Sequence, residues 1–230
     1  DESKAGLQLE VDEDACLRGR VLSVHGLISR VQVEDNRILQ CATRRLLKTL
    51  STDQRHVVAA GDRVLVRPVE HAECNEGIIE RIEPRRGVLS RTSRGRQQVL
   101  VANVDQVLIV ASAAEPRLKP NLIDRLLVSA EQGEVQPLIA INKVDLVDPA
   151  ELQPLIGVYS QMGYEVLLLS AKNGAGISRL RRRLAARETV VAGQSGVGKS
   201  SLLNAVDPSL KLRVCEVSEE NQKGRHTTTV

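Results

Sequence analysis

The chain has 230 residues, of which 42% are hydrophobic and 27% are charged, a mix typical of one large or two ordinary globular domains. No apolar run approaches the roughly 20 residues of a membrane span. The N-terminal stretch DESKAGLQLEVDEDA lacks the apolar core of a signal peptide. The cysteines at positions 16, 41, 74 and 215 form no C-x-x-C pair, which argues against a zinc site within this chain and for free thiols in a reducing compartment. We expect a cytoplasmic protein that does not associate with membranes.

Charge is distributed unevenly along the chain. Residues 1–15 contain one Lys and six acidic residues, and we interpret them as an acidic, disordered tail. Residues 16–100 contain sixteen basic and nine acidic residues, and fifteen of those basic residues are Arg. The planar guanidinium suits phosphate, so this region predicts a polyanionic partner, with an ordinary solvated surface as the alternative. Because Phe and Trp are absent, nucleic-acid binding could not rest on aromatic base stacking.

Residues 16–84 predict a small all-β barrel. Apolar and polar residues alternate in five short segments that are separated by Gly, Asp, Asn and Pro, as in strands and turns. Five strands in about 70 residues favour the OB-fold, with an SH3-like barrel as the alternative. Residues 85–103, RRGVLSRTSRGRQQVLVAN, are basic and contain Ser and Gly, and we interpret them as a linker with a mobile loop. The five segments are RGRVLSVHG, LISRVQVE, RILQCA, DRVLVRPV and GIIERIEP.

From residue 104 onwards, buried strands alternate with helical patterns. This alternation predicts an α/β domain with a parallel, doubly wound sheet, over residues 104–230. Ligands of such sheets bind at the carboxyl ends of the strands. The predicted strands are DQVLIVASA, QPLIAINKVDL, EVLLLSAK and TVVAG, and the predicted helices between them are NLIDRLLVSAEQG, PAELQPLIGVYSQMG and ISRLRRRLAARE.

The segment GQSGVGKS follows the last predicted strand and matches the phosphate-binding P-loop pattern G-x-x-x-x-G-K-[ST]. Its glycines allow backbone N–H groups to surround phosphates, Lys199 would reach the β and γ oxygens, and the Ser200 hydroxyl would bind Mg²⁺. We also expect Lys199 to stabilise charge during hydrolysis. The predicted phosphate-binding residues are Gly193, Gln194, Ser195, Gly196, Val197, Gly198, Lys199, Ser200 and Ser201.

Two further motifs predict that the nucleotide is a guanine nucleotide. The Asp145 carboxylate of the N-K-x-D segment can accept hydrogen bonds from N1–H and the 2-amino group of guanine, a pair of donors that adenine lacks. The Lys143 stem can pack over the base. The S-A-K segment follows the next strand and could support the base through a backbone N–H. The predicted residues are Asn142, Lys143, Val144 and Asp145, and Ser170, Ala171 and Lys172.

Ordinary GTPases place the phosphate loop before the base-reading segments, whereas in this chain the base-reading segments come first, as in a circular permutation. With the OB-like region and the terminal GRHTTT, the segments NKVD, SAK and GQSGVGKSSLLN resemble the circularly permuted small-ribosomal-subunit biogenesis GTPase family of bacteria (RsgA, also called YjeQ). The resemblance covers residues 16–230. It implies hydrolysis of GTP to GDP and phosphate during late maturation of the small (30S) subunit, with the barrel contacting 16S rRNA, and a monomer is expected.

The resemblance also assigns residues near the end of the chain. HTTT matches the first switch segment, so a Thr hydroxyl would complete the Mg²⁺ shell, and Thr228 is our candidate. His226 could orient the attacking water, or could simply belong to the switch loop. The sequence contains no D-x-x-G motif and no C-terminal zinc-binding domain of this family. We therefore expect a sheet that is incomplete at the C-terminus, and Zn²⁺ only in a domain beyond this chain.

Two alternatives to a GTP hydrolase stay open. The chain could be a nucleotide-sensing rRNA-binding module with negligible turnover, or a P-loop kinase that uses ATP, which Asn142 and Asp145 disfavour. For rRNA we expect phosphate contacts from loops, because loops can reach a partner. The candidate RNA-binding residues are Arg44, Arg45, Arg94 and Arg96.

Overall fold

The computed structural model describes residues 12–44, 57–69, 75–93 and 96–212. It divides the chain into two compact units, residues 1–103 and 104–230. Within the described ranges, no helix combines the length and the apolar composition that crossing a membrane requires.

The first unit contains a closed five-stranded barrel. Around the barrel the strands follow the order β1-β2-β3-β5-β4, and β4 pairs with β1 to close it. The β3 and β5 strands are parallel, whereas the other neighbours are antiparallel. This is the Greek-key arrangement of the OB-fold, so that prediction is confirmed over the SH3-like alternative. The strands are β1 (Leu17–His25), β2 (Ile28–Val33), β3 (Ile38–Thr43), β4 (Arg63–Pro68) and β5 (Glu76–Ile82).

Alternation of side chains along these strands builds the barrel core. Val31 and Val33 on β2 are buried while Arg30 between Ser29 and Val31 is exposed, as expected for a strand with one face in a core. The core consists of aliphatic side chains and one thiol, because this region contains no aromatic residue. Its buried members are Val21, Val31, Val33, Leu39, Cys41, Val58, Val64, Val66 and Ile79.

A buried ion pair fixes the segment that follows the barrel. Asp62 is fully buried, and its two oxygens accept hydrogen bonds of 2.7 and 2.8 Å from Nε and Nη2 of Arg85. Arg85 Nη2 also donates to the Val57 carbonyl at 2.7 Å. Because the carboxylate is satisfied on both oxygens, its burial is compatible with a stable fold.

The stretch 85–103 differs from its predicted form as a linker. It contains an antiparallel hairpin of β6 (Leu89–Ser93) and β7 (Arg96–Val101). The Ser and Gly content favours an irregular segment, but Leu89 pairs with Val101 and is buried, which anchors the hairpin. An isolated bridge between Ala60 and Val101 connects β7 to the barrel chain. The prediction of a linker is therefore wrong for the residues of these two strands.

The second unit is a parallel sheet with strand order β10-β9-β8-β11. All three strand pairs are parallel, as the alternation of strands and helices predicts. Every residue of β8 is buried, which is typical of a strand covered on both faces. The strands are β8 (Gln106–Ser112), β9 (Gln136–Asn142), β10 (Val166–Leu168) and β11 (Thr189–Gly193).

Four helices in the described part of this unit follow the strands: α1 (Pro120–Gln132), α2 (Gln153–Gln161), α3 (Ile177–Leu184) and α4 (Lys199–Val206). The predicted helix at 149–163 is divided, because a 3-10 turn occupies Pro149–Leu152 before α2 begins. Pro154 lacks an N–H, and it would interrupt the hydrogen bonds of a continuous helix that started at Pro149. Placing Pro154 in the first turn of α2 avoids that loss.

Candidate nucleotide-binding site

The three predicted loops follow strands that end at the same edge of the parallel sheet. β11 ends at Gly193, where the phosphate loop begins, and β9 ends at Asn142, where the N-K-x-D segment begins. β8 lies between them, with Val110 beside Gly193 and Ser112 beside Asn142. β10, which precedes the S-A-K segment, pairs with the other side of β9. The loops therefore occupy one continuous edge.

The phosphate loop has a backbone that requires glycine at three positions. Gly193, Gly196 and Gly198 have φ angles of +153°, +81° and +90°. These conformations are readily adopted only by a residue without a Cβ. The loop leads directly into α4, whose first residue is Lys199. The curved backbone and the helix start are the arrangement that the motif predicts for enclosing phosphates.

Lys199 is half-buried within this loop. Its Nζ donates hydrogen bonds to the carbonyl oxygens of Gly193 at 3.1 Å and Gln194 at 2.8 Å. Burial lowers the pKa of Lys199, because the surroundings disfavour the charged form. An anion next to this ammonium would relieve that penalty.

The predicted residues of the phosphate loop differ in their exposure to solvent. Ser195 is exposed and Val197 is buried, whereas Ser200 in the first turn of α4 is half-buried. Among the residues that the structure describes, none forms a hydrogen bond with the Ser200 hydroxyl. The half-buried residues of the loop are Gly193, Gln194, Gly196, Gly198, Lys199, Ser200 and Ser201.

Asn142 connects all three loops. Its side chain is on a residue only 1% exposed, and its Nδ2 donates to the Val197 carbonyl oxygen at 2.9 Å. Its Oδ1 accepts from the backbone N–H of Ala171 at 3.2 Å. A buried amide that is satisfied on both its oxygen and its nitrogen is held in one orientation. The phosphate loop and the S-A-K loop are thus tied to the same side chain.

Asp145 is exposed, and Ser170 fixes its orientation. The Ser170 hydroxyl donates a hydrogen bond of 2.6 Å to Asp145 Oδ1, and Ser170 itself is fully buried. This hydrogen bond is the main reason that the pKa of Asp145 is lowered, and the nearby charges of Lys172 and Lys143 act in the same direction. The arrangement keeps an ionised acceptor at the sheet edge.

The loop after β8 also contacts the N-K-x-D segment. Lys143 has a left-handed backbone, with φ of +62°, and its Nζ donates to the Glu115 carbonyl oxygen. The Ala113 N–H donates to the Asn142 carbonyl oxygen at 2.8 Å. No motif in the sequence marks residues 113–119 as part of the site. Val144 donates from its N–H to the Leu169 carbonyl oxygen at 3.2 Å, which keeps the S-A-K loop adjacent.

Several predicted residues lie outside the described ranges. His226 and Thr228 fall in residues 213–230, and Arg45 and Arg94 also fall outside the described residues. The backbone of Arg96 belongs to β7, but its side chain is not described. Arg44 follows β3, and its Nη1 donates a 3.0 Å hydrogen bond to Oε2 of Glu80.

The described part of the chain contains no cluster of three or more His, Cys, Asp or Glu side chains that could hold a metal ion. Cys16 and Cys41 are free thiols, and burial raises the pKa of Cys41 to about 12. At neutral pH that thiol is protonated, as expected for a cysteine that serves in the barrel core.

The fold and the loops define a circularly permuted GTPase domain preceded by an OB-fold, because the N-K-x-D and S-A-K segments come before the P-loop in the chain. The sequence model of the RsgA GTPase family matches residues 82–230. The chain belongs to this family.

Curated relatives match most of this chain in sequence. A small ribosomal subunit biogenesis GTPase RsgA from Sodalis glossinidius is 42% identical over 92% of this chain and 61% of its own length. The corresponding protein from Thermotoga petrophila is 41% identical over 92% of this chain and 68% of its own length. The chain thus spans about three fifths to two thirds of these relatives.

Two crystal structures resemble the chain. YjeQ from Thermotoga maritima has a TM-score of 0.64 at 35% identity, covering 86% of this chain and 67% of that protein. YloQ, a circularly permuted GTPase, has a TM-score of 0.58 at 29% identity, covering 87% of this chain and 68% of that protein.

Proposed function

We propose that this chain binds GTP at the loop edge of its parallel sheet and hydrolyses it to GDP and phosphate. We propose further that it acts in the maturation of the small ribosomal subunit, the role given in the names of its relatives. The observation that carries the proposal is the bridge made by Asn142, which bonds to both the Val197 carbonyl and the Ala171 N–H. One rigid side chain thereby joins the loops for the phosphates and for the base.

The base end of the proposed site rests on Asp145. Its carboxylate is exposed, ionised and oriented by Ser170, so it can accept from two donors on one edge of a base. Guanine presents N1–H and the 2-amino group on that edge, whereas adenine does not. Binding adenine would leave the carboxylate without these partners, and an unsatisfied acceptor costs on the order of 1–3 kcal/mol.

The phosphate end rests on Lys199 and the loop backbone. Lys199 is held in the loop by two carbonyl oxygens and would donate to phosphate oxygens in their place. The fit of Mg²⁺ can be judged from the donors present: Ser200 offers a half-buried hydroxyl oxygen, a hard ligand that suits this cation. Bound with the nucleotide, Mg²⁺ would neutralise charge on the β and γ phosphates. Thr228 remains our predicted second ligand.

In this proposal the reaction is an in-line attack by water, and the chain contributes position and charge. Lys199 and the N–H groups of the loop stabilise negative charge on the transferred phosphoryl group. His226 remains a candidate for orienting the water, with a purely structural place in the switch loop as the alternative.

The remaining parts of the proposal concern partners and location. The first unit is an OB-fold in a region with sixteen basic and nine acidic residues, which favours contact with 16S rRNA. Arg44, Arg45, Arg94 and Arg96 remain the candidates for that contact. A monomeric state, a cytoplasmic location and a zinc-binding domain beyond this chain remain predictions.

The experiment that tests the proposal measures phosphate release from GTP by the wild-type chain and by Lys199→Ala, with and without purified small subunits. We expect subunit-stimulated turnover by wild type and its loss in Lys199→Ala. Lys211→Ala, which removes an exposed lysine beyond α4, serves as the control for charge. Unchanged turnover in Lys199→Ala would contradict the assignment of hydrolysis to this loop.

The same assay distinguishes the second candidate, a nucleotide-sensing rRNA-binding module. That function predicts tight GTP binding and subunit binding without phosphate release. Competition of bound GTP by ATP would instead indicate a kinase, which the Asp145 carboxylate disfavours.

A further inference from the structure

Glu80 on β5 is a nearly buried carboxylate that contacts an arginine on each side. Its side chain is 8% exposed. Its Oε2 accepts a 3.0 Å hydrogen bond from Nη1 of Arg44, which directly follows β3, and its Oε1 accepts a 2.9 Å hydrogen bond from Nε of Arg67 on β4. Because β5 lies between β3 and β4 in the barrel, this single carboxylate holds two guanidinium groups on the barrel wall.

Within the described part of the chain, Arg44 and Arg67 use only a few of their hydrogen-bond donors. A guanidinium has five N–H donors. Among the described residues, the side chains of Arg44 and Arg67 each donate to Glu80 alone. They are 37% and 53% exposed, so their other N–H groups can reach a ligand from solvent. Glu80 thus fixes the position of each group, while most of its donors have no partner among the residues that the structure describes.

The buried ion pair of the same unit is built differently. Arg85 is 17% exposed, bonds to both oxygens of Asp62 and donates to the Val57 carbonyl as well. That pair has equal and opposite charges and is largely closed to solvent. Among the described residues, the group around Glu80 has two cations for one anion and both arginines are partly exposed, which a purely structural pair does not need.

Charge around this group also favours an anion. Two guanidinium groups and one carboxylate leave one unit of positive charge. The nearby Glu13 carboxylate is paired with Arg81 at 2.7 Å. Its negative charge is therefore neutralised by Arg81. A phosphodiester carries one negative charge and two free oxygens, and each oxygen can accept from one guanidinium.

We propose that Arg44 and Arg67 form a phosphodiester clamp for RNA and that Glu80 is its positioning residue. This inference rests on the proposed function, in which the partner is RNA of the small subunit. By restricting both arginines before binding, Glu80 lowers the entropy that they lose in the complex. A backbone contact of this kind sets the register of the RNA and carries no base specificity.

The test measures the affinity of the wild-type chain for a labelled oligouridylate over a series of salt concentrations, and compares it with Arg44→Gln and Arg67→Gln. Removal of one arginine–phosphate interaction should lower the slope of log affinity against log salt by roughly 0.7. Arg37→Gln is the matched control. Arg37 is 55% exposed and is paired with Asp35 in the same barrel, but its guanidinium is bound by a local exposed carboxylate. We expect its slope to equal that of wild type.

Glu80→Gln separates positioning from charge. This change adds one unit of positive charge, so charge alone would tighten binding to the oligouridylate. Loss of positioning would weaken it, because one amide oxygen cannot hold both guanidinium groups as two carboxylate oxygens do. We expect weaker binding than in wild type, and tighter binding would overturn the role of Glu80.

Other outcomes decide the clamp itself. Slopes of Arg44→Gln and Arg67→Gln equal to wild type, or an equal fall in Arg37→Gln, would overturn it, as would absence of wild-type binding to the oligouridylate at low salt. Binding of small subunits is measured in parallel. If the clamp variants show a reduced slope on the oligouridylate but wild type does not bind the subunits, the clamp stands and the proposed partner is wrong.

Discussion

The side-chain amide of Asn142 donates a 2.9 Å hydrogen bond to the backbone carbonyl oxygen of Val197, a residue 55 positions later in the chain. Asn142 ends the strand that leads into the N-K-x-D segment, and Val197 lies in the middle of the phosphate loop. The two loops that would contact opposite ends of a nucleotide are therefore not independent. A change at this amide should therefore affect the binding of both the base and the phosphates.

Asn142→Ala tests that coupling. The change removes the bonds to Val197 and Ala171 and leaves a buried carbonyl and a half-buried N–H without these partners. We expect GTP affinity to fall by about 1–3 kcal/mol, and binding of inorganic tripolyphosphate, which has no base, to weaken as well. Isothermal titration calorimetry measures both. Asn173→Ala is the control, since it removes only an exposed bond to the Ala175 N–H in the S-A-K loop. Unchanged tripolyphosphate binding in Asn142→Ala would show that the loops are uncoupled.

Gly198→Ala tests the position of the Asn142 amide by a change in the phosphate loop. A Cβ on Gly198 would lie 2.4 Å from Asn142 Nδ2, so it would displace the amide, and the φ of +90° adds backbone strain. We expect loss of nucleotide binding and a lower melting temperature. Gly163→Ala is the matched control, because Gly163 has a φ of +88° but open space around its Cβ position. It should lower the melting temperature through strain alone and leave nucleotide affinity unchanged. Equal effects of both variants on affinity would rule out a role for the contact.

Strands, helices and the order of the nucleotide motifs can be predicted from the sequence because they depend on local patterns. The alternation of Val31 and Val33 with polar neighbours defines β2, and the glycines of the phosphate loop are required by its backbone. The hairpin of β6 and β7 escapes prediction because its composition resembles a linker. Its stability depends on the pairing of Leu89 with Val101 and on burial, which are not local properties.

Contacts between distant residues cannot be predicted in this way. The sequence predicts Asn142 as part of a base-reading motif, but its bond to Val197 depends on which strands are adjacent in the sheet. No sequence motif predicts the contact of Lys143 with the Glu115 carbonyl oxygen. Glu80 cannot be distinguished in the sequence from other charged residues of the barrel, because its burial arises from the pairing of β5 with two neighbours.

Arg85→Met tests the buried ion pair of the first unit. The change leaves the fully buried Asp62 carboxylate without its charged partner. Removing one member of such a pair is expected to lower the free energy of unfolding by about 3–5 kcal/mol, which urea denaturation can measure. Arg37→Met breaks the exposed pair with Asp35 and should have little effect. Similar losses in both variants would indicate that burial of the pair is not what matters.

Asp145→Asn tests the recognition of guanine. The amide replaces one acceptor by a donor, which would face the 2-amino group of guanine, so GTP affinity should fall by about 1–3 kcal/mol. Xanthine has a carbonyl oxygen at that position, and we expect XTP to bind the variant more tightly than it binds wild type. Asp148→Asn is the control, since Asp148 is an exposed acceptor for the Ala150 N–H at the start of a 3-10 turn. If XTP affinity does not rise in Asp145→Asn, that carboxylate does not read the base edge.

The pH dependence of GTP binding should depend on Ser170. Its hydrogen bond lowers the pKa of Asp145 below the ordinary value of about 3.9, so the ionised form is favoured in the folded protein. For a lowered carboxyl pKa, the stabilisation is present above the ordinary value and is lost as the pH falls through the lowered value. In Ser170→Ala the pKa of Asp145 should rise, and GTP affinity should begin to fall at a higher pH than in wild type. NMR titration of the Asp145 carboxyl carbon measures the shift.

Ser209→Ala is the matched control, because Ser209 lowers the pKa of Asp207 through a similar 2.7 Å bond outside the nucleotide loops. That variant should shift the pKa of Asp207 and leave both Asp145 and GTP affinity unchanged, whereas an unchanged Asp145 titration in Ser170→Ala would refute the assigned cause.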